Sequence, residues 1–97
     1  MPEVNIRFQP TPNPNAGKFV LDREVVADGK SKSFFSAEEA RGDALGEALM
    51  ALDGVASIFM VEDFVTVTRR PDADWQELIP RVEQAIRAAL GAEPAAS

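Results

Sequence analysis

Residues 55–70 read VASIFMVEDFVTVTRR, and the period of this stretch decides what kind of domain the chain builds. Two runs rich in β-branched and aromatic residues, VASIFMV and FVTVTR, are separated only by Glu62 and Asp63. Folding back through a two-residue connection sets Met60 opposite Val65 and Ile58 opposite Val67, an apolar face. Phe59 then opposes Thr66 and Ser57 opposes Thr68, a mixed face suited to partial exposure. Glu-Asp is not the pair that hairpin turns prefer, because those turns need a positive φ that Gly and Asn tolerate best. The pattern still predicts an antiparallel hairpin with one buried face.

Beyond the hairpin, Asp74-Trp-Gln-Glu77 resembles a capping box, and Trp75, Leu78, Ile79, Val82, Ile86 and Leu90 form one helical stripe. This is the main helix, with Trp75 read as a core anchor. Pro80 deletes one backbone bond within it and predicts a bend or a delayed first turn. Gly91 ends it, and residues 92–97, AEPAAS, read as a disordered tail.

On the other side, Asp43 can cap a helix whose apolar residues are Leu45, Ala48, Leu49 and Leu52, with Gly54 as its left-handed stop. Ser36-Ala-Glu-Glu39 fits a capping box and predicts a short preceding helix, interrupted at Gly42. Further out, Val4, Ile6 and Phe8 alternate with Asn5, Arg7 and Gln9, a half-buried strand. Lys18–Asp22, with Phe19 and Leu21 on one face, reads as a second strand, followed by an Asp-Gly turn in VADGK at 26–30. The order strand, strand, short helices, hairpin, helix predicts an α+β fold. It is a small, mostly antiparallel sheet with helices packed on one face, a single domain over residues 1–91.

Composition narrows function. The 97 residues include no Cys, no His and no Tyr. Disulfides, thiolate metal sites and a cysteine-ligated iron-sulfur cluster cannot be built from this chain, and no cofactor is expected. A nucleophile and base would have to come from Ser, Thr, Lys, Asp or Glu, so the expectation is a protein that is not an enzyme. The net charge is −6, and the longest basic run is Arg69-Arg70, which argues against nucleic acid as a partner. The longest mostly apolar stretch, VASIFMV, is too short to span a bilayer, and MPEVNIRF lacks a signal pattern; a cytoplasmic protein without a membrane partner is expected. Glu38, Glu39, Asp43 and Glu47 read either as helix caps on a solvated face or as a carboxylate-based iron or metal site. The hairpin face also leaves open a weak homodimer as the alternative to a monomer.

The segment QPTPNPNAGKF, residues 9–19, holds Pro10, Pro12 and Pro14. Each lacks an amide donor and biases its predecessor toward extended backbone, so the segment is a stiff connector that cannot continue a sheet ladder until Asn15-Ala-Gly17 turns the chain into the second strand. One reading is a terminator that fixes the turn and blocks edge aggregation. The other is a recognition loop whose conformational entropy is already spent, presenting Thr and Asn side chains to a partner.

TPNPNAGKF at 11–19, FVTVTR at 64–69 and DWQELIP at 74–80 together resemble the N-terminal domain of Nfu/NifU-type iron-sulfur scaffold proteins. SAEEA, LDGV and DFVTVT follow in family order, and the resemblance runs from about Ile6 to Leu90. The chain departs from the family pattern at Ala44 and Gly46, where Pro and Ala are frequent, and at Met50, where an aromatic is common. In full-length members of that family a Cys-x-x-Cys motif on a separate C-terminal domain holds the cluster, and this chain has no such motif. The resemblance therefore implies an accessory, protein-binding module that stands without the cluster-bearing domain and docks an iron-sulfur scaffold or client protein. Thr11, Pro12, Asn13, Pro14 and Asn15 would carry specificity. Lys18 would add a charge-assisted contact, and Phe19 would face the core and hold the loop in register.

Overall fold

The hairpin of residues 55–70 lies at the heart of a five-stranded sheet. A computed structural model describes residues 5–26 and 30–91; Val4, the Asp28-Gly29 turn and the 92–97 tail lie outside the described residues. In chain order the elements are β1 (Ile6–Pro10), β2 (Ala16–Leu21), β3 (Ser31–Phe34), α1 (Ala44–Met50), β4 (Val55–Val61), β5 (Phe64–Arg69) and α2 (Trp75–Ile86). Arg87–Gly91 continues α2 as a single wider π turn. The strand order is β1-β2-β5-β4-β3, every neighbouring pair is antiparallel, and the fold is α+β as the sequence predicts.

The hairpin register is the predicted one: Met60 faces Val65, Ile58 faces Val67, Phe59 faces Thr66 and Ser57 faces Thr68. An irregularity between Val55 and Ser57 adds one residue to β4. A bulge of this kind resets the alternation, so Val55 and Ile58 both reach the core although they are three residues apart. Glu62 absorbs the sharp reversal at φ 53°, the left-handed region that a side chain makes unfavourable. Its carbonyl accepts the Val25 N–H (2.7 Å) and the Val26 N–H (3.3 Å), and the Asp63 carbonyl accepts that of Leu21 (2.7 Å). The turn therefore also moors the chain leaving β2.

Both helices cover one face of the sheet. Phe19, Leu21, Ile58, Met60, Val65 and Val67 from the strands meet Leu45 and Leu49 of α1 and Leu78, Val82 and Ile86 of α2, all of them buried. Asp43 caps α1 by accepting the Gly46 N–H at 2.9 Å, and Asp74 caps α2 by accepting that of Gln76 at 2.9 Å. α1 ends at Met50 with a right-handed cap at Ala51, so Gly54, expected to stop that helix, instead turns the chain at φ 103° directly into β4.

Four other expectations need correction. The first is β3, absent from the sequence reading because SKSF offers only Phe34 as an apolar residue. The second is the helix at Ser36–Glu39. Half of the box forms, with Ser36 Oγ accepting the Glu39 N–H, while Glu39 Oε1 accepts the N–H of Phe35, one residue before the cap; Gly42 at φ 93° then reverses the chain after one turn. One turn is the costly nucleus of a helix without the propagation that offsets it. The third is the proline segment: Pro10 is still in the ladder, opposite Gly17, at the end of an edge strand where a missing donor is tolerated. Gly17 is likewise a residue of β2 and not of the turn. The fourth is Pro80, which does not delay α2; the helix begins at Trp75 and runs through it. Pro80 and Gln76 are both exposed, so the carbonyl that Pro80 leaves without a helical partner is open to water.

Candidate functional site: the 11–15 loop and the uncovered sheet face

The loop between β1 and β2 is braced by its own polar groups. Thr11 Oγ1 accepts the Asn13 N–H (3.1 Å) and lies 2.9 Å from the carbonyls of both Asn13 and Ala16, to which its single proton can be donated. Asn13 Oδ1 accepts the Asn15 N–H at 2.9 Å, and the Asn13 carbonyl accepts the Ala16 N–H at 3.0 Å. These are the local turns that Thr and Asn side chains make with neighbouring backbone. Two bonds from distant residues complete the bracing: the Arg69 N–H donates to the Asn15 carbonyl at 2.7 Å, and the Trp75 indole N–H donates to the Pro14 carbonyl at 3.0 Å.

Beneath the loop, the Trp75 ring packs against Phe8 (centroids 5.6 Å apart) and Phe19 (6.4 Å), and Phe8 meets Phe19 edge-on at 5.1 Å. Gly17 makes this cluster possible. A Cβ there would collide with the Phe8 ring and stand 3.1 Å from the Trp75 ring. Trp75 is thus the core anchor the sequence suggests, with a second role as a tether that the sequence does not reveal. Arg69 was not anticipated either. Its guanidinium donates to the carbonyls of Arg70 (3.2 Å), Pro71 (3.1 Å) and Ala73 (2.7 Å), fixing the chain that leads from β5 into α2. An Arg closing a strand otherwise made of Phe, Val and Thr is the only signal the sequence carries of it.

Thr11, Pro12, Asn13, Pro14 and Asn15 are therefore brought together in one braced loop, with Pro12, Asn13 and Pro14 exposed. The side-chain nitrogen Nδ2 of Asn13 and the side chain of Asn15 make no hydrogen bond among the described residues. Lys18 lies elsewhere. It is on the sheet face that the helices leave uncovered, with Nζ 4.2 Å from the centroid of the Phe64 ring. Two rows of residues cross all five strands on that face: Arg7, Val20, Phe64, Val61, Ser31, and Gln9, Lys18, Thr66, Phe59, Ser33. A shorter row of Ala16, Thr68 and Ser57 lies at the loop end.

Three of the four crowded carboxylates are engaged with backbone. Asp43 caps α1, Glu39 holds the Phe35 N–H, and Glu47 Oε2 accepts the Gly42 N–H at 2.8 Å, as the capping reading predicts. Lys32 Nζ reaches Asp43 Oδ2 at 2.7 Å. Burial acts to raise the Asp43 carboxyl pKa, but the Lys32 hydrogen bond and charge and the N–H groups of Gly46 and Leu45 outweigh it and hold the group below its ordinary 3.8. Beside the start of α2 lies a cleft of about 290 Å³, with Asp53, Asp72, Asp74 and Glu77 facing Arg70 and Arg81. Among the described residues no helix is long and apolar enough to cross a membrane.

Residues 6–93 match the family described as scaffold protein Nfu/NifU N terminal. The chain is 39% identical over 77 residues to conserved virulence factor C of Staphylococcus haemolyticus, a match that spans 79% of this chain and 20% of that protein. It is 35% identical over 77 residues to the mitochondrial NFU1 iron-sulfur cluster scaffold homolog of Drosophila ananassae, across 79% of this chain and 27% of that one. The chain thus spans about a fifth to a quarter of the length of these curated relatives. The crystal structure of Staphylococcus aureus protein SAV1430 superposes with a TM-score of 0.75 at 28% identity, over 87% of this chain and 98% of that one. A NifU-like protein from Saccharomyces cerevisiae superposes at 0.77 over 89% of this chain and 77% of that one; at 22% identity this is a likeness of fold.

Proposed function

The chain belongs to the Nfu/NifU N-terminal family, and from that premise we propose that it is a non-catalytic accessory module of iron-sulfur cluster assembly or delivery, docking a scaffold or client protein through Thr11–Asn15, with Lys18 on the uncovered sheet face as a separate charge-assisted contact. One observation carries the reading: the loop is tied to β5 and α2 by the bonds to Asn15 and Pro14, yet keeps Pro12, Asn13 and Pro14 at the surface. A loop already held in one shape loses little further entropy on binding. On this reading the cluster is cargo of the partner, whose thiolates would hold it, and the module supplies contact and orientation in the cytoplasm.

The test is an anaerobic affinity capture from lysate with the native chain and with a variant carrying Asn13→Asp and Asn15→Ala. Asn13→Asp keeps an oxygen that accepts the Asn15 N–H and turns the outward NH2 donor into a charged acceptor, so the loop retains its bracing while its outward hydrogen-bonding is inverted. Enrichment of iron-sulfur scaffold or client proteins by the native chain, falling about tenfold or more in the folded variant, as one lost pair of buried hydrogen bonds predicts, is the expected result. Equal recovery by both overturns the assignment of the loop.

A further inference from the structure

The five strands of this acidic protein contain no carboxylate. IRFQP, AGKFVL, SKSF, VASIFMV and FVTVTR carry Arg7, Lys18, Lys32 and Arg69 but neither Asp nor Glu, in a chain with 16 acidic residues and a net charge of −6. Arg69 is spent on the loop after β5 and Lys32 on the α1 cap. Arg7 and Lys18 remain, both on the uncovered face, and neither has an ion-pair partner among the described residues. Arg7 stands beside an apolar patch made by Val20, Phe64, Val61 and Phe59, the last of these 39% exposed, and the Lys18 ammonium lies over the Phe64 ring at its edge, from which its flexible stem can swing to meet a carboxylate.

The arrangement is lopsided. The cations stand on β1 and β2, the apolar patch spans β2, β5 and β4, and the β3 side ends in Ser31 and Ser33. Neighbouring strands lie about 4.8 Å apart, so the patch from Val20 to Val61 is about 10 Å across, the width of one helix. We propose that this face docks an amphipathic helix of a partner protein, its apolar stripe on Val20, Phe64, Val61 and Phe59 and its carboxylates along the flank that meets Arg7 and Lys18. A helix is the usual cover of a sheet face, and α1 and α2 already cover the opposite one. A second copy of this chain is the poorer occupant, because its own face repeats Arg7 and Lys18 and its strands carry no carboxylate to pair with them. The proposal rests on the docking reading only through Lys18, which both share, because its apolar patch lies toward the Glu62-Asp63 turn and away from the 11–15 loop.

The probes are two synthetic helical peptides of about 18 residues with the same leucine stripe, one flanked by Glu and one by Lys, titrated into the ¹⁵N-labelled full chain and followed by amide shifts. The Glu peptide is expected to move the resonances of Lys18, Val20, Phe59, Val61 and Phe64 and to spare α1 and α2. Its affinity falls about tenfold or more, the factor worth one good ion pair at an interface, in the Arg7→Gln, Lys18→Gln variant, and also with added salt. Phe59→Ser tests the apolar half separately, and both variants are confirmed folded by their dispersed spectra. Equal binding of the Lys peptide, shifts confined to the helices, or a self-association in sedimentation that Phe59→Ser abolishes would each overturn the proposal. Retained Glu-peptide binding by the Asn13→Asp, Asn15→Ala variant supports the face whatever becomes of the loop. Loss of peptide binding in that variant overturns the separation of the two surfaces.

Discussion

Asp43 concentrates several functions in one carboxylate. It caps α1, pairs with Lys32 of β3, and is held below its ordinary pKa. A carboxyl whose pKa is lower in the folded state than in the unfolded one adds stability that is complete above the unfolded value of 3.8 and is lost as pH falls through the folded value. Asp43→Ala is accordingly expected to cost about 1–2 kcal/mol at pH 7. The difference from the native chain should shrink below pH 3.8; urea titrations at pH 7 and pH 3 measure it, and an unchanged gap would show that the charge is irrelevant. This much was legible in the sequence, because an Asp before an apolar helical stripe signals its own role. Lys32 was not, since β3 was invisible and the two residues meet only once the strand is laid beside β4.

At the scale of elements, legibility follows locality. The β4–β5 register could be read because a two-residue connection leaves one pairing that buries the apolar face. The strand order could not, because β2 joins β5 across more than forty residues and nothing in either strand names the other. A similar long-range constraint explains Gly46, a glycine inside α1 where the family pattern favours Ala. A Cβ on Gly46 would come within 2.7 Å of the Phe34 ring, so the smaller residue lets β3 close over the helix. Gly46→Ala alone is expected to destabilise by about 1 kcal/mol, overpacking outweighing better helix propensity. In a Phe34→Ala background, where only the Ala40 Cβ at 3.2 Å still crowds the new methyl, the same change should stabilise, by up to about 1 kcal/mol of propensity gain. A denaturant double-mutant cycle reads the reversal of sign; its absence would mean that Phe34 yields without cost.

For the molecule as a whole, the candidate site was legible as a stiff stretch and no further. The prolines announce rigidity, but the bracing by Thr11 and Asn13 is a matter of geometry, and the Trp75 tether joins residues 61 positions apart. Trp75→Phe keeps most of the ring packing and removes the N–H. It is expected to cost about 1 kcal/mol and to speed hydrogen exchange at Asn15 and Ala16 while the strand amides of β4 stay protected. Uniform loss of protection would show the tether to be part of the global fold and not of the loop. The tether also belongs to a larger division. β1 and β2 close on each other through a short loop, and β3, α1, β4 and β5 close on one another in turn. The β2–β5 ladder, the Asn15–Arg69 bond and the Trp75 contacts join these two parts. The parts can each form quickly from near neighbours, whereas their joining awaits a long loop closure. Arg69 and Trp75 thus reach the 11–15 loop only at this last step, and a newly made chain completes the bracing of that loop only once the two parts have become one.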